Sequence, residues 1–103
     1  MIIFSVLYPA TPGAKFDADY YASVHMPLVR EAFAATGYVS DQVLYGQPGP
    51  DGAPAPFVAM VHVTFESPEA MQASLNGPRG AEVTADVANY TDIAPIIQFS
   101  VPG

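Results

Sequence analysis

The chain has no cysteine, no tryptophan and only three cations, Lys15, Arg30 and Arg79. Without cysteine there can be no disulfide scaffold, zinc–thiolate site or thiolate nucleophile. That composition fits a reducing compartment, and a cytoplasmic location is expected. Ten acidic residues leave a net charge of −7. Three scattered cations cannot make an electrostatic footprint for phosphate backbones, so no nucleic-acid partner and no anionic membrane surface is expected. A strongly anionic substrate would need one of the arginines beside it. Neutral, aromatic or weakly polar ligands fit the charge better.

Other absences narrow the chemistry. No apolar run approaches the roughly 20 residues of a membrane span. The opening MIIFSVLY lacks a basic leader and a small-residue cleavage site, and is expected as a first strand rather than a signal peptide. The two histidines, His25 and His62, are not at a metal-ligand spacing, and no acid cluster completes a set, so no metal is expected. No glycine-rich turn joins a strand to a helix, so a dinucleotide fingerprint is missing. Ser5, Ser23 and Ser100 lie in no nucleophile elbow.

The 103 residues make one domain, 1–103, with a small core. Ile2–Tyr8 is β-branched and aromatic and reads as the first strand. PATPGAK, 9–15, is a loop. Asp17 can cap the helix that follows, with Phe16 stapled to Tyr21. This helix runs to about Ala35 and ends at Gly37. Pro27 lies inside it and is expected to break or kink it near His25 and Met26. Tyr38–Gly46 is the second strand, and QPGPDGAPAP is an exposed connection. Phe57–Phe65 is the strongest strand. Phe57, Val61, Val63 and Phe65 share one face; Val58, Met60, His62 and Thr64 share the other. Ser67-Pro68-Glu69 starts a helix that runs to about Leu75 and stops at Asn76-Gly77-Pro78. Arg79–Val87 is a further helical segment, and Ile96–Val101 is the last strand.

The order β-α-β-β-α-β is that of a ferredoxin-like α+β sandwich, an antiparallel sheet with its helices on one face. The uncovered face would carry Ile3, Leu7, Val58, Met60 and Ile96. A patch of that size predicts an interface, most simply a homodimer packed sheet against sheet.

The stretch FDADYYASVHMPL concentrates the candidate functional groups. Tyr21 and His25 stand one helical turn apart and face the sheet. A histidine beside a proline kink can move a proton near neutral pH, which makes His25 the candidate catalytic residue. The plain alternative is a buried imidazole that braces the kink. Tyr20 and Tyr21 could polarise a carbonyl or hold a substrate hydroxyl, or simply fill space with an OH at the edge. Asp86 and Asp92 flank the Asn89-Tyr90-Thr91 turn. Local bonds from such residues shape turns, while Asp86 is also the carboxylate that could orient His25 or help hold a substrate. His62 reads as structural.

Two runs carry a family resemblance. Tyr20-Tyr21-x-x-x-His25-x-Pro27-Leu28 resembles the signature of the EthD family, named from ethyl tert-butyl ether degradation. Asp86-Val87-Ala88-Asn89-Tyr90-Thr91-Asp92 is similar to that family's C-terminal motif. The resemblance implies a dimeric α+β barrel, in which two ferredoxin-like sheets close on each other. It implies no single reaction. The naming member is an accessory protein of an ether-degradation system whose oxidation is done by a separate cytochrome. Other proteins with this barrel are cyclases, isomerases, decarboxylase-like or dehydratase-like proteins, and monooxygenases. The lack of tryptophan removes one feature of the haem-degrading relatives. The expectation is therefore a small neutral or aromatic ligand between the first helix and the sheet, with cofactor-free proton transfer at His25. A non-catalytic accessory role and a small monooxygenase activity are the alternatives.

Overall fold

A computed structural model describes residues 1–103. Four antiparallel strands, β1 (Ile2–Pro9), β2 (Tyr38–Tyr45), β3 (Phe57–Phe65) and β4 (Ile96–Ser100), form one sheet in the order β2-β3-β1-β4. With all the helices on one side of it, this is the ferredoxin-like arrangement expected from the element order.

The first helical run is continuous, and the break or kink expected near His25 and Met26 takes the form of a π-helical turn. The run comprises α1 (Ala18–Tyr20), a π-helical turn (Tyr21–His25), α2 (Met26–Phe33) and a closing 3-10 turn (Ala34–Thr36). The π turn explains the continuity. Proline has no N–H, and in an α-helix its ring would strike the carbonyl four residues back. Here the Met26 N–H reaches back five residues to the Tyr21 carbonyl, which widens the turn just before Pro27. Pro27 then occupies the first turn of α2, where a missing N–H costs little. Asp17 caps α1 by accepting the Tyr20 N–H at 3.1 Å, and Phe16 packs on Tyr21 with ring centroids 5.2 Å apart. Cap and staple are both as the sequence predicts.

The second helical region is two helices, α3 (Pro68–Asn76) and α4 (Pro78–Asp86), followed by a 3-10 turn (Val87–Asn89). Ser67 caps α3 by accepting the Ala70 N–H. Chain segments flanking the two helical regions are laced together. The Asp17 N–H donates to the Tyr90 carbonyl at 2.8 Å, and the Lys15 N–H donates to Asp92 at 2.8 Å. The lacing fixes the start of the first helical run beside the end of the second.

Alternation along the strands gives the sheet two different faces. Phe4, Val6 and Tyr8 of β1 and Ala59, Val61, Val63 and Phe65 of β3 face the helices and build the core with Tyr21, Met26, Val29, Phe33, Met71 and Tyr90. The register organises the other face into rows. Leu44, Met60, Leu7 and Ile96 align across the four strands as an apolar row. Gln42, His62, Ser5 and Gln98 align as the next row, with Ser5 Oγ 2.7 Å from His62 Nδ1. On β4 the helix-side residues Ile97 and Phe99 remain 53% and 54% exposed, because the helices do not extend over this edge strand.

Gly37 turns the chain from the first helical run into β2 at φ 92°. A Cβ there would overlap the Ala70 side chain on α3. Gly37→Ala therefore combines a left-handed backbone penalty with a steric clash, and should cost about 2 kcal/mol of unfolding free energy. Chemical denaturation at neutral pH measures it, and an unchanged midpoint would contradict this account of the turn.

Candidate functional site

Between the helices and the sheet lies a cavity of about 310 Å³. Its walls are largely apolar: Phe4, Val6, Val61 and Val63 from the sheet, Met26, Val29 and Phe33 from α2. That size and lining are those of small-ligand sites. Exposed Thr84, Pro95 and Ile97 lie on its lining as well, so the cavity meets solvent between α4 and β4. No lysine, arginine, aspartate or glutamate lines it.

Four polar side chains converge on its inner wall: His25, Tyr8, Tyr21 and Tyr90. His25 comes from the last residue of the π turn and is only 5% exposed. Its Nδ1 lies 2.9 Å from Asp86 Oδ2. Asp86 also accepts the Tyr20 hydroxyl at 2.6 Å and the Asn89 side-chain amide at 2.9 Å, both on Oδ1. Burial would raise the pKa of Asp86, but hydrogen bonds from Tyr20, Asn89 and His25 outweigh it and hold the group below the usual carboxylate range. A carboxylate can only accept, so His25 Nδ1 carries the proton and donates it to Asp86. The other nitrogen, Nε2, therefore carries the lone pair and lies 3.5 Å from the Tyr90 hydroxyl. Burial lowers the pKa of His25 below its ordinary 6.5, against the opposing pull of Asp86.

The three phenols are packed as one cluster. Tyr8 and Tyr90 share a hydrogen bond of 2.7 Å. Tyr21 stacks on the His25 ring at 5.4 Å and 18°, and meets Tyr90 edge-on at 4.9 Å. Burial is the chief reason that all three phenol pKa values are raised, so all three remain protonated at neutral pH. Tyr21 is fully buried, and its hydroxyl makes no hydrogen bond of normal length and angle, although the Tyr8 hydroxyl stands close enough to affect its ionisation.

The sequence-predicted residues thus divide. His25 and Tyr21 line the cavity, whereas Tyr20 and Asp86 stand behind His25 and do not. Tyr8 and Tyr90 line it without having been singled out as site residues. Tyr8 read as the end of a strand and Tyr90 as part of a turn. The available signal was the Asn89-Tyr90-Thr91 run, which only pairing with the Lys15–Asp17 segment carries to the cavity wall. His62 lies on the opposite face of the sheet, bonded to Ser5. No group of three or more histidine or acidic side chains is gathered closely enough to hold a metal ion.

A family model for the EthD domain matches residues 13–94. The chain belongs to the EthD family. The matched span includes every residue of the Asp86–His25–Tyr90 constellation. This EthD chain is 42% identical to an EthD-like protein from Ralstonia eutropha JMP134, whose crystal structure superposes with a TM-score of 0.88 over 96% of this chain and 88% of that one. An ethyl tert-butyl ether degradation family protein from Bacillus halodurans C-125 superposes at 0.79, with 18% identity over 100% and 99% of the two chains. SnoaB, a cofactor-independent oxygenase from Streptomyces nogalater, shares the fold at a TM-score of 0.69 but only 11% identity, over 99% of this chain and 92% of that one. No curated protein matches the sequence.

Two predictions follow from this geometry. Tyr21→Phe removes an unsatisfied buried hydroxyl without changing ring volume, so the variant should match or exceed the parent in stability by up to about 1 kcal/mol. A loss of more than that would reveal a hydrogen bond that the structure does not contain. For His25, the depressed native pKa means the unfolded chain binds the proton more tightly. The stability contributed by neutral His25 is complete above pH 6.5 and is lost as the pH falls below it. An NMR titration should place the His25 midpoint below 6.5 in the parent, and lower still in Asp86→Asn, which lacks the anion favouring the imidazolium. A rise in the Asp86→Asn midpoint would contradict the assignment.

Proposed function

We propose that this EthD chain binds a small neutral or aromatic organic compound in the cavity between the first helical run and the sheet, and moves a proton on it with His25. The observation that carries this reading is the orientation of the imidazole. Asp86 accepts from Nδ1, while His25 lines the apolar cavity with its Nε2 toward the Tyr90 hydroxyl. A carboxylate behind a histidine fixes the tautomer and leaves the other nitrogen as a base. An isomerisation, cyclisation, dehydration or decarboxylation of this kind needs no organic cofactor. The cytoplasm is the proposed location, on the strength of the cysteine-free composition; no helix is long and apolar enough to cross a membrane.

A homodimer through the open face of the sheet is part of the same reading. It is supported by the apolar row of Leu44, Met60, Leu7 and Ile96 and by the family's barrel type. Light scattering after size exclusion should give twice the 10.9 kDa chain mass. Met60→Lys, which places a charge in the middle of that row, should shift the protein toward monomer. A monomeric parent would overturn the dimer.

The test of the chemistry is His25→Gln. With a substrate found by screening neutral aromatic compounds, turnover should fall by about 10²- to 10⁴-fold, the usual contribution of a positioned acid–base group. Circular dichroism should remain that of the parent. Unfolding of this variant would mark His25 as a structural brace. Ligand binding with no turnover by the parent would favour an accessory or carrier role instead.

A further inference from the structure

Resting on the reading above, the geometry points to the class of compound the cavity takes. We propose that its ligand is a neutral, enolisable carbonyl compound, whose oxygen is received by the Tyr21, Tyr8 and Tyr90 hydroxyls while His25 Nε2 removes a proton from the adjacent carbon.

The hydrogen-bonding inventory carries this. Tyr21 is 0% exposed, lines the cavity and has a hydroxyl with no partner. Buried donors of that kind are rare unless an acceptor is to be supplied from elsewhere. Tyr8 and Tyr90 hold a second hydrogen that can turn toward a ligand. Their oxygens are 2.7 Å apart, and only one of their two hydrogens can lie between them. The other must point at His25 Nε2 or into the cavity. Three phenol hydroxyls and one imidazole lone pair are thus gathered together, and the Tyr21 hydroxyl is the one left unsatisfied.

The ligand group that completes such a set is an acceptor oxygen. A pure hydrocarbon would leave the Tyr21 hydroxyl orphaned. A carboxylate would bring a full charge into a cavity with no lysine or arginine on its lining. A carbonyl is neutral on arrival and becomes anionic only as its α C–H bond breaks. The proton then goes to His25 Nε2, and the electron pair moves through the new C=C bond onto the oxygen. The enolate oxygen is held by phenol hydroxyls that stay protonated, which is how preorganised donors stabilise developing charge. Return of the proton to the α carbon, or to another carbon of a conjugated system, restores His25. No oxidant, reductant or metal enters the balance. Tyr90 stands 3.5 Å from Nε2, so an oxygen received by Tyr90 has its neighbouring carbon close to the base.

The test uses three probes of one shape: naphthalene, 2-naphthol as an enol analogue, and 2-tetralone as the enolisable ketone. Binding is read by NMR from shifts of the Val83 and Val87 methyl groups on the cavity wall. The parent should bind 2-naphthol at least about tenfold more tightly than naphthalene, and Tyr21→Phe should remove most of that preference. In D₂O the parent should speed deuterium exchange at the α carbons of 2-tetralone. His25→Gln should lose this while still binding 2-naphthol, and Tyr21→Phe should lose roughly tenfold or more. Equal binding of naphthalene and 2-naphthol by the parent would overturn the carbonyl inference and leave a ligand-binding cavity. Exchange undiminished in Tyr21→Phe would overturn the role of the phenols alone. With 2-naphthol bound, absence of exchange in the parent would overturn the enolisation. Failure of all three probes to bind would overturn the binding reading beneath it.

Discussion

The Asp86 carboxylate holds the site together. It is the last residue of α4, yet it accepts from Tyr20 at the end of α1, from His25 at the end of the π turn and from Asn89 in the following 3-10 turn. One side chain therefore joins the two helical regions behind His25. Hydrogen bonds to a charged acceptor are the stronger kind, each worth about 1.5–3 kcal/mol. The same three bonds keep Asp86 ionised, and an ionised Asp86 sets the tautomer of His25. Structural bracing and the choice of tautomer are here one arrangement, so the alternatives of a working and a packed histidine are not exclusive. His25 is tied to Asp86 on one nitrogen and stands beside the Tyr90 hydroxyl on the other.

The π turn is the second constraint, and it comes from Pro27. A regular α-helix could not carry a proline at that position without a break. Widening the preceding turn keeps the helical run intact and delivers Tyr21 and His25 to the same face, with their rings stacked. Such one-turn π segments often mark functional positions, because they spend helical regularity to place particular side chains.

Much of this was legible in the chain. The strand alternation of FVAMVHVTF gave the two sheet faces, and Asp17, Ser67 and Gly37 marked helix ends that the structure confirms. The Tyr–Tyr–His–Pro run pointed to the family. What could not be read was long-range. Tyr8 and Tyr90 are 82 positions apart, and nothing local tells a strand tyrosine that it will share a proton with a turn tyrosine. The irregularity at His25 and Met26 was legible from Pro27, but its form was not, because proline rules describe what an α-helix forbids, not how a wider turn escapes the restriction. Tyr20 illustrates the converse. Its side chain was expected beside the ligand, but its hydroxyl goes to Asp86, a partner from the far end of the chain.

The placement of charge completes the logic of the cavity. Each of the three cations is engaged away from it. Arg30 makes a two-pronged contact with Asp41 at 2.8 and 3.0 Å, tying α2 to β2. Arg79 ties α4 to Glu31 on α2 and to Glu82. Lys15 reaches the Asn89 carbonyl at 3.4 Å. These surface pairs contribute little stability individually, but they leave no cation to line the cavity, in a chain that carries a net charge of −7. An anion would be opposed both by the surrounding field and by the apolar walls. Neutral phenol hydroxyls are then the means by which this cavity could stabilise negative charge. In the proposed reading that charge forms inside, after a neutral molecule has entered.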